Sequence, residues 1–449
     1  MAGFFAGRLK RPDVRPTPSV QSLSDSHLSG SENGQTGLEG KPLTDLEGGG
    51  KTKSIFSRPW TRRDLTILGI LGALSLALLA LIIALPIVFV KGRERNQNEI
   101  DGDSWTPYRP KHNSPSYHIE ENAPIWAIHD FPDPGLLEYN GTWYAFGTNP
   151  HKNDPNSIHI PVATSNNFVN WTLVKDHDAL PTIGNWERKV NHWAPDVIRR
   201  DDGKFVMYYA GEAKDFGTHH CIGAAVSEGE DPIGPYVPLN ESIACPHKYG
   251  GAIDPSPFRD EDGTMYVVYK GDGNSVGSGG YCGNSRIPRH SVPIMLQEVK
   301  SDGITLVGEP TIILDINKTD GPLVEAPDII RTEDGTYYLF FSSHCFTSLG
   351  YNVKYAHAKS VKGPYTRAPQ PLLQTGDFGL KAPGGATVST DGKRMVFHAN
   401  CEGWRCMYAS AIDIQSNNNT IIMASLELQV LGNSTTHTIN SITNSTTSL

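Results

Sequence analysis

Two kinds of hydrophobic pattern divide the 449-residue chain. From Leu65 to Val90 runs one apolar stretch of 26 residues without Asp, Glu, Lys or Arg. As a helix rising about 1.5 Å per residue it spans roughly 39 Å, enough to cross a hydrocarbon layer of about 30 Å with some tilt. A buried globular helix would carry its apolar residues on one stripe, and a cleaved leader has a shorter apolar core nearer residue 1. The run is therefore expected to be a transmembrane helix. From Ile125 to Asp413 the pattern changes to short continuous or alternating apolar runs, broken by Gly, Asn and Asp. That is the period of strands and tight turns. The flanks are polar: 1–64 is expected to be a disordered cytoplasmic tail, 91–120 a stalk, and 432–449 a Ser/Thr/Asn-rich tail. The apolar patch Ile421 to Leu431 fits a last strand, giving one folded domain over 121–431.

Within that domain a unit repeats. Asp133-Pro134 leads into Asn140-Gly141 and an aromatic run; Ala194-Pro195-Asp196, Asp254-Pro255 and Glu325-Ala326-Pro327-Asp328 lead likewise into Asp-Gly and a second run. Pro383-Gly384-Gly385-Ala386 opens a fifth copy. The turn glycines fall at 141, 203, 263, 335 and 392, in steps of 62, 60, 72 and 57. Asn-Gly and Asp-Gly suit type I′ hairpin turns, in which both central residues take positive φ. A repeat of about four short strands marks a β-propeller, whereas a sandwich or single barrel would share the turns without the period. The fold class is thus all-β, a five-bladed β-propeller, preceded by a disordered tail and one transmembrane helix.

Composition adds orientation. Net charge is −9 with 19% charged residues, so no basic field favours nucleic acid. Five basic residues (Lys51, Lys53, Arg58, Arg62, Arg63) precede the apolar span against three (Lys91, Arg93, Arg95) after it, which points to a cytoplasmic N-terminus. Asn-x-Ser/Thr acceptors for N-glycans occur at Asn140, Asn170, Asn240, Asn317, Asn418, Asn433 and Asn444, all on the far side. The six cysteines lie there too, where disulfides are permitted. Cys401 and Cys406 are close enough to close a small loop; the pairing of Cys221, Cys245, Cys282 and Cys345 is left open, and no spacing resembles a zinc site. The expected protein is a type II single-pass membrane protein with its main domain luminal or extracellular.

Candidate chemistry sits where the blades begin. In a propeller the innermost strands line the central channel, so acids at blade starts converge at one mouth. Asp133, Asp196, Asp254 and either Glu325 or Asp328 precede their turn glycines by seven to ten residues. Carboxyls crowded in one site repel, which raises the pKa of at least one. A protonated acid beside an ionised base is what glycosidic cleavage requires. A single Asp-Pro more often just caps a turn; recurrence brings the catalytic reading level with that one.

Several motifs then carry a resemblance. His129-Asp130-Phe131-Pro132-Asp133-Pro134, Trp193-Ala194-Pro195-Asp196-Val197, Ile253-Asp254-Pro255-Ser256-Pro257-Phe258, Glu325-Ala326-Pro327, Tyr351-Asn352-Val353-Lys354-Tyr355-Ala356 and Gly363-Pro364-Tyr365 follow one another over about 125–413. In that order the region resembles glycoside hydrolase family 43, five-bladed propellers acting on arabinans, xylans and related glycans. The resemblance implies an inverting hydrolase of pentose polysaccharides, most plausibly α-1,5-arabinan, with β-xylosidase or α-L-arabinofuranosidase activity as the next reading. It implies Asp133 as the general base, Glu325 as the general acid, and Asp254 as the acid that tunes and orients Glu325. Trp193 is a candidate sugar platform, Asp196 a structural or substrate-contacting group, and Trp126 and His129 further candidates for the same mouth.

One departure stands out. Many relatives open the fifth blade with Gly-Pro-Gly-His, whose histidine helps hold a central ion or water. Here the stretch is Ala382-Pro383-Gly384-Gly385-Ala386. No central calcium, and no other metal or cofactor, is therefore expected, and His398 reads as a core histidine. Gly273-Asn274-Ser275-Val276-Gly277 matches a nucleophile elbow but lacks the strand-to-helix context that device needs. The Asn-Asp-Pro and Arg-Asp-Pro motifs of retaining fructan-cleaving propellers are absent. A catalytically silent glycan-binding propeller would be expected to have lost one acid of the trio, and all three are present.

Overall fold

The computed structural model describes residues 122–149 and 157–426. The apolar run Leu65–Val90, the sequons at Asn433 and Asn444 and the two tails lie outside them. Among the described residues no helix is long and apolar enough to cross a membrane.

Five antiparallel sheets make the described chain. The first holds β2 (Gly135–Tyr139), β3 (Thr142–Phe146), β4 (Val162–Ser165) and β5 (Thr172–Leu173), the second β6 (Trp193–Arg199), β7 (Phe205–Glu212), β8 (His220–Ser227) and β9 (Tyr236–Pro238). The third is β10 (Ala252–Arg259), β11 (Met265–Gly271), β12 (Ile294–Val299) and β13 (Leu306–Leu314). The fourth is β14 (Val324–Arg331), β15 (Tyr337–Ser343) and β16 (Asn352–Ala358), with β17 (Thr366–Arg367) and β18 (Leu373–Gln374) sharing the edge of β16. The fifth comprises β19 (Gly384–Val388), β20 (Arg394–Cys401), β21 (Trp404–Gln415) and β22 (Thr420–Ala424). Its long β21 pairs with β22 at one end and with β1 (Ile125–Ile128) at the other. The start of the domain thus clips onto its last blade.

The first strands touch in the order β2, β6, β10, β14, β19 and back to β2. That closed circuit is the five-bladed propeller expected from the turn period. Each blade buries both faces against its neighbours, so the core is split into clusters between successive blades. Phe146, Val197 and Tyr209 join the first two, and Phe131, Phe168, Val396 and Met407 join the first to the fifth.

The hairpin turns differ from expectation in four blades of five. Asn140 (φ 53°) and Gly141 (φ 76°) are both left-handed, as a type I′ turn requires. At 203, 263, 335 and 392 only the glycine is. The preceding Asp keeps negative φ and its Oδ1 accepts the backbone N–H two residues on, at Lys204, Thr264, Thr336 and Lys393. These are longer loops in which a turn is followed by one left-handed glycine. Asp serves there as an acceptor.

The blade starts share a second feature. Asp133, Ala194, Asp254, Ala326 and Gly385 all have positive φ, between 43° and 60°. Where the strand begins before that residue, in the second to fifth blades, the ladder register shifts across it. The bulge re-aims the chain at the channel, a common role of bulges beside functional sites. It also sorts the acids. Asp133 and Asp254 occupy the left-handed position itself, Glu325 the position before it, and Asp196 and Asp328 the position two after. The acids expected to be equivalent therefore stand on three different levels.

Candidate active site

Asp133, Asp254 and Glu325 line one cavity of about 810 Å³ at a mouth of the propeller, together with Trp193, Thr148, Tyr351, Phe346, Trp404 and Arg405. Each carboxyl has a different electrostatic setting. Asp133 Oδ1 lies 2.9 Å from Arg405 Nη1, and its Oδ2 accepts the Thr148 hydroxyl at 2.8 Å. Thr148 Oγ1 in turn accepts the Ala194 N–H at 2.8 Å, tying the base to the second blade. Burial pushes the Asp133 carboxyl up, but Arg405, His398 and Thr148 outweigh it and hold it well below the ordinary carboxylate range. It is an anion at any working pH.

Asp254 has no cation of its own. Its Oδ2 accepts the Ala326 N–H at 2.9 Å, beside Glu325 in the chain. Burial first, then the charge of Glu325, push it up to about 7, against smaller downward effects from Lys270 and the Ala326 N–H. Glu325 Oε2 lies 3.0 Å from the Nζ of buried Lys270. One end of the trio is thus a fixed carboxylate, and the other end is a pair holding a proton near neutral pH. That asymmetry is what acid/base cleavage of an acetal demands.

Trp193 stacks on His220 at 3.6 Å between ring centroids and 20° between planes. Burial drives the His220 pKa down to about 3, so the backing ring is neutral. Asp196 does not reach the cavity mouth. It sits further along the channel, where Ser256 Oγ lies 2.8 Å from Asp196 Oδ2 and 3.0 Å from Asp328 Oδ1. A hydroxyl has one proton to donate, so one of the two carboxyls must return a proton. Accordingly burial, aided by the Asp328 charge, raises Asp196 to about 8, and burial raises Asp328 to about 6. Trp126 is 57% exposed on β1 and does not line the cavity. His129 meets it only through Trp404, whose ring centroid is 6.1 Å away.

The fifth-blade glycines make room for two rings. A Cβ on Gly384 would fall 1.9 Å from the Tyr351 ring, and one on Gly385 would fall 2.7 Å from His398 Nδ1. His398 Nδ1 accepts the Asp133 N–H at 3.2 Å. An imidazole therefore does stand beside the base, supplied by β20 rather than by the blade start. Arg405 already balances the Asp133 charge, and among the described residues no group of three His, Cys, Asp or Glu side chains forms a cation cage.

Ser275 of the elbow-like motif lies in the loop between β11 and β12, with Oγ 3.2 Å from His219 Nδ1. Its proton goes to the Asp272 carbonyl at 2.7 Å, and no helix follows. All six cysteines pair, as Cys221–Cys245, Cys282–Cys345 and Cys401–Cys406. The second bridge ties the loop after β11 to the loop carrying Phe346 and Thr347. The third closes the β20–β21 hairpin carrying Trp404 and Arg405. Two walls of the cavity are thereby pinned. A cavity of about 890 Å³ on the other side of the channel is lined by blade turns, among them Gly141, Asp260 and Asp391, and holds none of the trio.

The closed ring of blades and the carboxyl-lined mouth place the chain among glycosidase-type β-propellers. More particularly, residues 121–429 match the glycosyl hydrolases family 43, and the chain belongs to that family. It is 29% identical to an extracellular endo-α-(1→5)-L-arabinanase of Thermotoga petrophila over 56% of this chain and 53% of that protein. It is 26% identical to extracellular endo-α-(1→5)-L-arabinanase 2 of Bacillus subtilis over 62% of this chain and 61% of that protein. The chain thus spans little more than half the length of these relatives. The crystal structure of a thermostable family-43 glycoside hydrolase superposes with a TM-score of 0.53 at 25% identity, over 66% of this chain and 93% of that one.

Proposed function

We propose that this protein hydrolyses pentosyl linkages of arabinan-type polysaccharide with inversion at the anomeric carbon. The unlike charge states of Asp133 and the Asp254–Glu325 pair in one cavity carry the reading. Asp133 takes a proton from water as the water oxygen bonds to the anomeric carbon. The bond from that carbon to the leaving oxygen breaks, and Glu325 gives its proton to that oxygen. Asp254 holds Glu325 in place through the Ala326 N–H and keeps a proton within the pair. Inversion needs about 6.5–9.5 Å between base and acid for the water to fit. Trp193, braced by His220, offers its face to a sugar ring.

The two arabinan-cleaving relatives favour arabinan over xylan. We also propose that the domain works outside the cytosol, held to a membrane by Leu65–Val90. The three disulfides suit an oxidising compartment. The sequon residues Asn140, Asn170, Asn240, Asn317 and Asn418 are all exposed, as glycosylation requires. The test is a panel of linear arabinan, debranched arabinan, xylobiose and nitrophenyl pentosides, with the first-formed anomer read by NMR. Glu325→Ala and Asp133→Ala should each lower turnover by orders of magnitude in folded protein. Near-normal rates in either, or glycan binding without turnover by the wild type, would overturn the reading.

A further inference from the structure

Lys270 breaks the apolar run of β11, Met-Tyr-Val-Val-Tyr-Lys-Gly, and is 1% exposed. Burying an ammonium costs several kcal/mol unless partners compensate it. Here Nζ lies 3.0 Å from Glu325 Oε2 and 3.2 Å from Asp272 Oδ1. Lys270 is absent from the cavity lining, so it stands behind Glu325 and does not face substrate. Burial lowers its affinity for a proton, but Glu325, Asp272 and Asp254 together more than reverse that, and it stays charged.

We propose that Lys270 is the positioning residue of the general acid: it anchors Glu325 through Oε2, leaves Oε1 for the leaving oxygen, and sets the alkaline limit of activity by dividing its charge between Glu325 and Asp272. The inference rests on Glu325 being the acid. Its logic is electrostatic and follows from the contacts. The Asp254–Glu325 pair works while it holds one proton, and a cation against Oε2 favours loss of that proton. Asp272 competes for the same ammonium and weakens its pull. The other charged or titratable groups around the pair are Asp133 at the start of the first blade, Tyr351 before β16, His398 on β20 and Arg405 on β21. Arg405 is committed to Asp133, burial and Arg405 keep His398 neutral, and Tyr351 is held protonated by burial and the surrounding acids. Lys270 is thus the cation the pair depends on.

Two variants should move the alkaline limb of kcat/KM in opposite directions. Lys270→Met removes the charge, and the limb should rise by about one pH unit or more. Asp272→Asn frees the ammonium for Glu325, and the limb should fall. Lys270→Arg should keep the limb near its wild-type place. Lys270→Met should also lose turnover more on an arabino-oligosaccharide than on a dinitrophenyl arabinofuranoside, whose leaving group needs no proton. A purely packing role would slow both substrates alike and leave both limbs in place. If Lys270→Met does not fold, the near-isosteric Asp272→Asn decides alone: a downward shift supports the proposal, and no shift or an upward one overturns it. Glu325→Gln separates the layers. Full activity there on natural glycan would overturn the acid assignment and the Lys270 role with it. An inactive Glu325→Gln beside unmoved limbs would overturn the Lys270 role alone.

Discussion

Arg405 Nη1 stands 2.9 Å from Asp133 Oδ1, joining residues 272 positions apart in sequence across the seam where the last blade meets the first. The guanidinium also lies over the Phe346 ring, 4.8 Å from its centroid. One side chain therefore sets the charge of the candidate base and links two walls of the cavity. Asp133 works as a base above its own pKa, which this contact lowers. In Arg405→Gln the upward push of burial remains with less to oppose it. The acidic limb of kcat/KM should move up by about one pH unit or more. An acidic limb that stays in place in folded Arg405→Gln would contradict the assignment of Asp133.

Asp196 and Asp328 offer a test in stability. A carboxyl whose pKa is raised by folding is protonated in the fold and ionised in the unfolded chain between its two pKa values. The unfolded state then binds fewer protons, so stability falls as pH rises through that window. For Asp196 the window runs from 3.8 to about 8, and for Asp328 from 3.8 to about 6. Asp196→Asn keeps the shape and can donate to Ser256 Oγ without needing a proton from solution. Its Tm should gain on wild type at pH 8 and show no such gain at pH 5. Equal differences at both pH values would mean that Asp196 is ionised in the fold.

How far the sequence foretold this site depends on the kind of signal. Turn glycines recur with the blade, so the propeller was legible from five hairpins. The trio rested on motifs beside those turns. What failed was the inference that acids at similar distances from a turn share a level, because the left-handed residue at each blade start shifts the strand by an amount that spacing does not record. That shift sends Asp196 down the channel and Glu325 to the mouth. Lys270 and Arg405 went unnoticed for different reasons. A lysine inside an apolar strand such as Met265–Gly271 was a readable sign of a buried ion pair. Arg405 looked like any arginine in a short loop, and only closure of the ring brings it to Asp133.

Trp193 and His220 form the tightest ring stack of the described site, 3.6 Å between centroids. With His220 neutral, the stack braces the indole without adding a charge under a sugar. Trp193→Ala removes the platform and leaves the carboxyls untouched. Loss of a stacking contact worth about 1.4 kcal/mol is a tenfold change in binding. KM for an arabino-oligosaccharide should rise by about that factor with kcat changed less, and Trp193→Phe should recover most of the loss. A kcat defect at unchanged KM would place the indole in positioning rather than binding.

Cys401–Cys406 closes the β20–β21 hairpin whose tip carries Trp404 and Arg405. Closing so short a loop in the unfolded chain is worth about 2 kcal/mol by the chain-entropy relation, little beside a whole propeller. The local consequence is larger than the global one, because the freed tip holds the cation of Asp133 and one wall of the cavity. The double variant Cys401→Ser, Cys406→Ser should remain folded, with a small fall in Tm. Its KM should rise as Trp404 loses its place, and its acidic limb should drift upward in the same direction as in Arg405→Gln. The shared direction is the discriminating result. A rise in KM with the acidic limb fixed would show that the bridge shapes the wall without steering Arg405 onto the base.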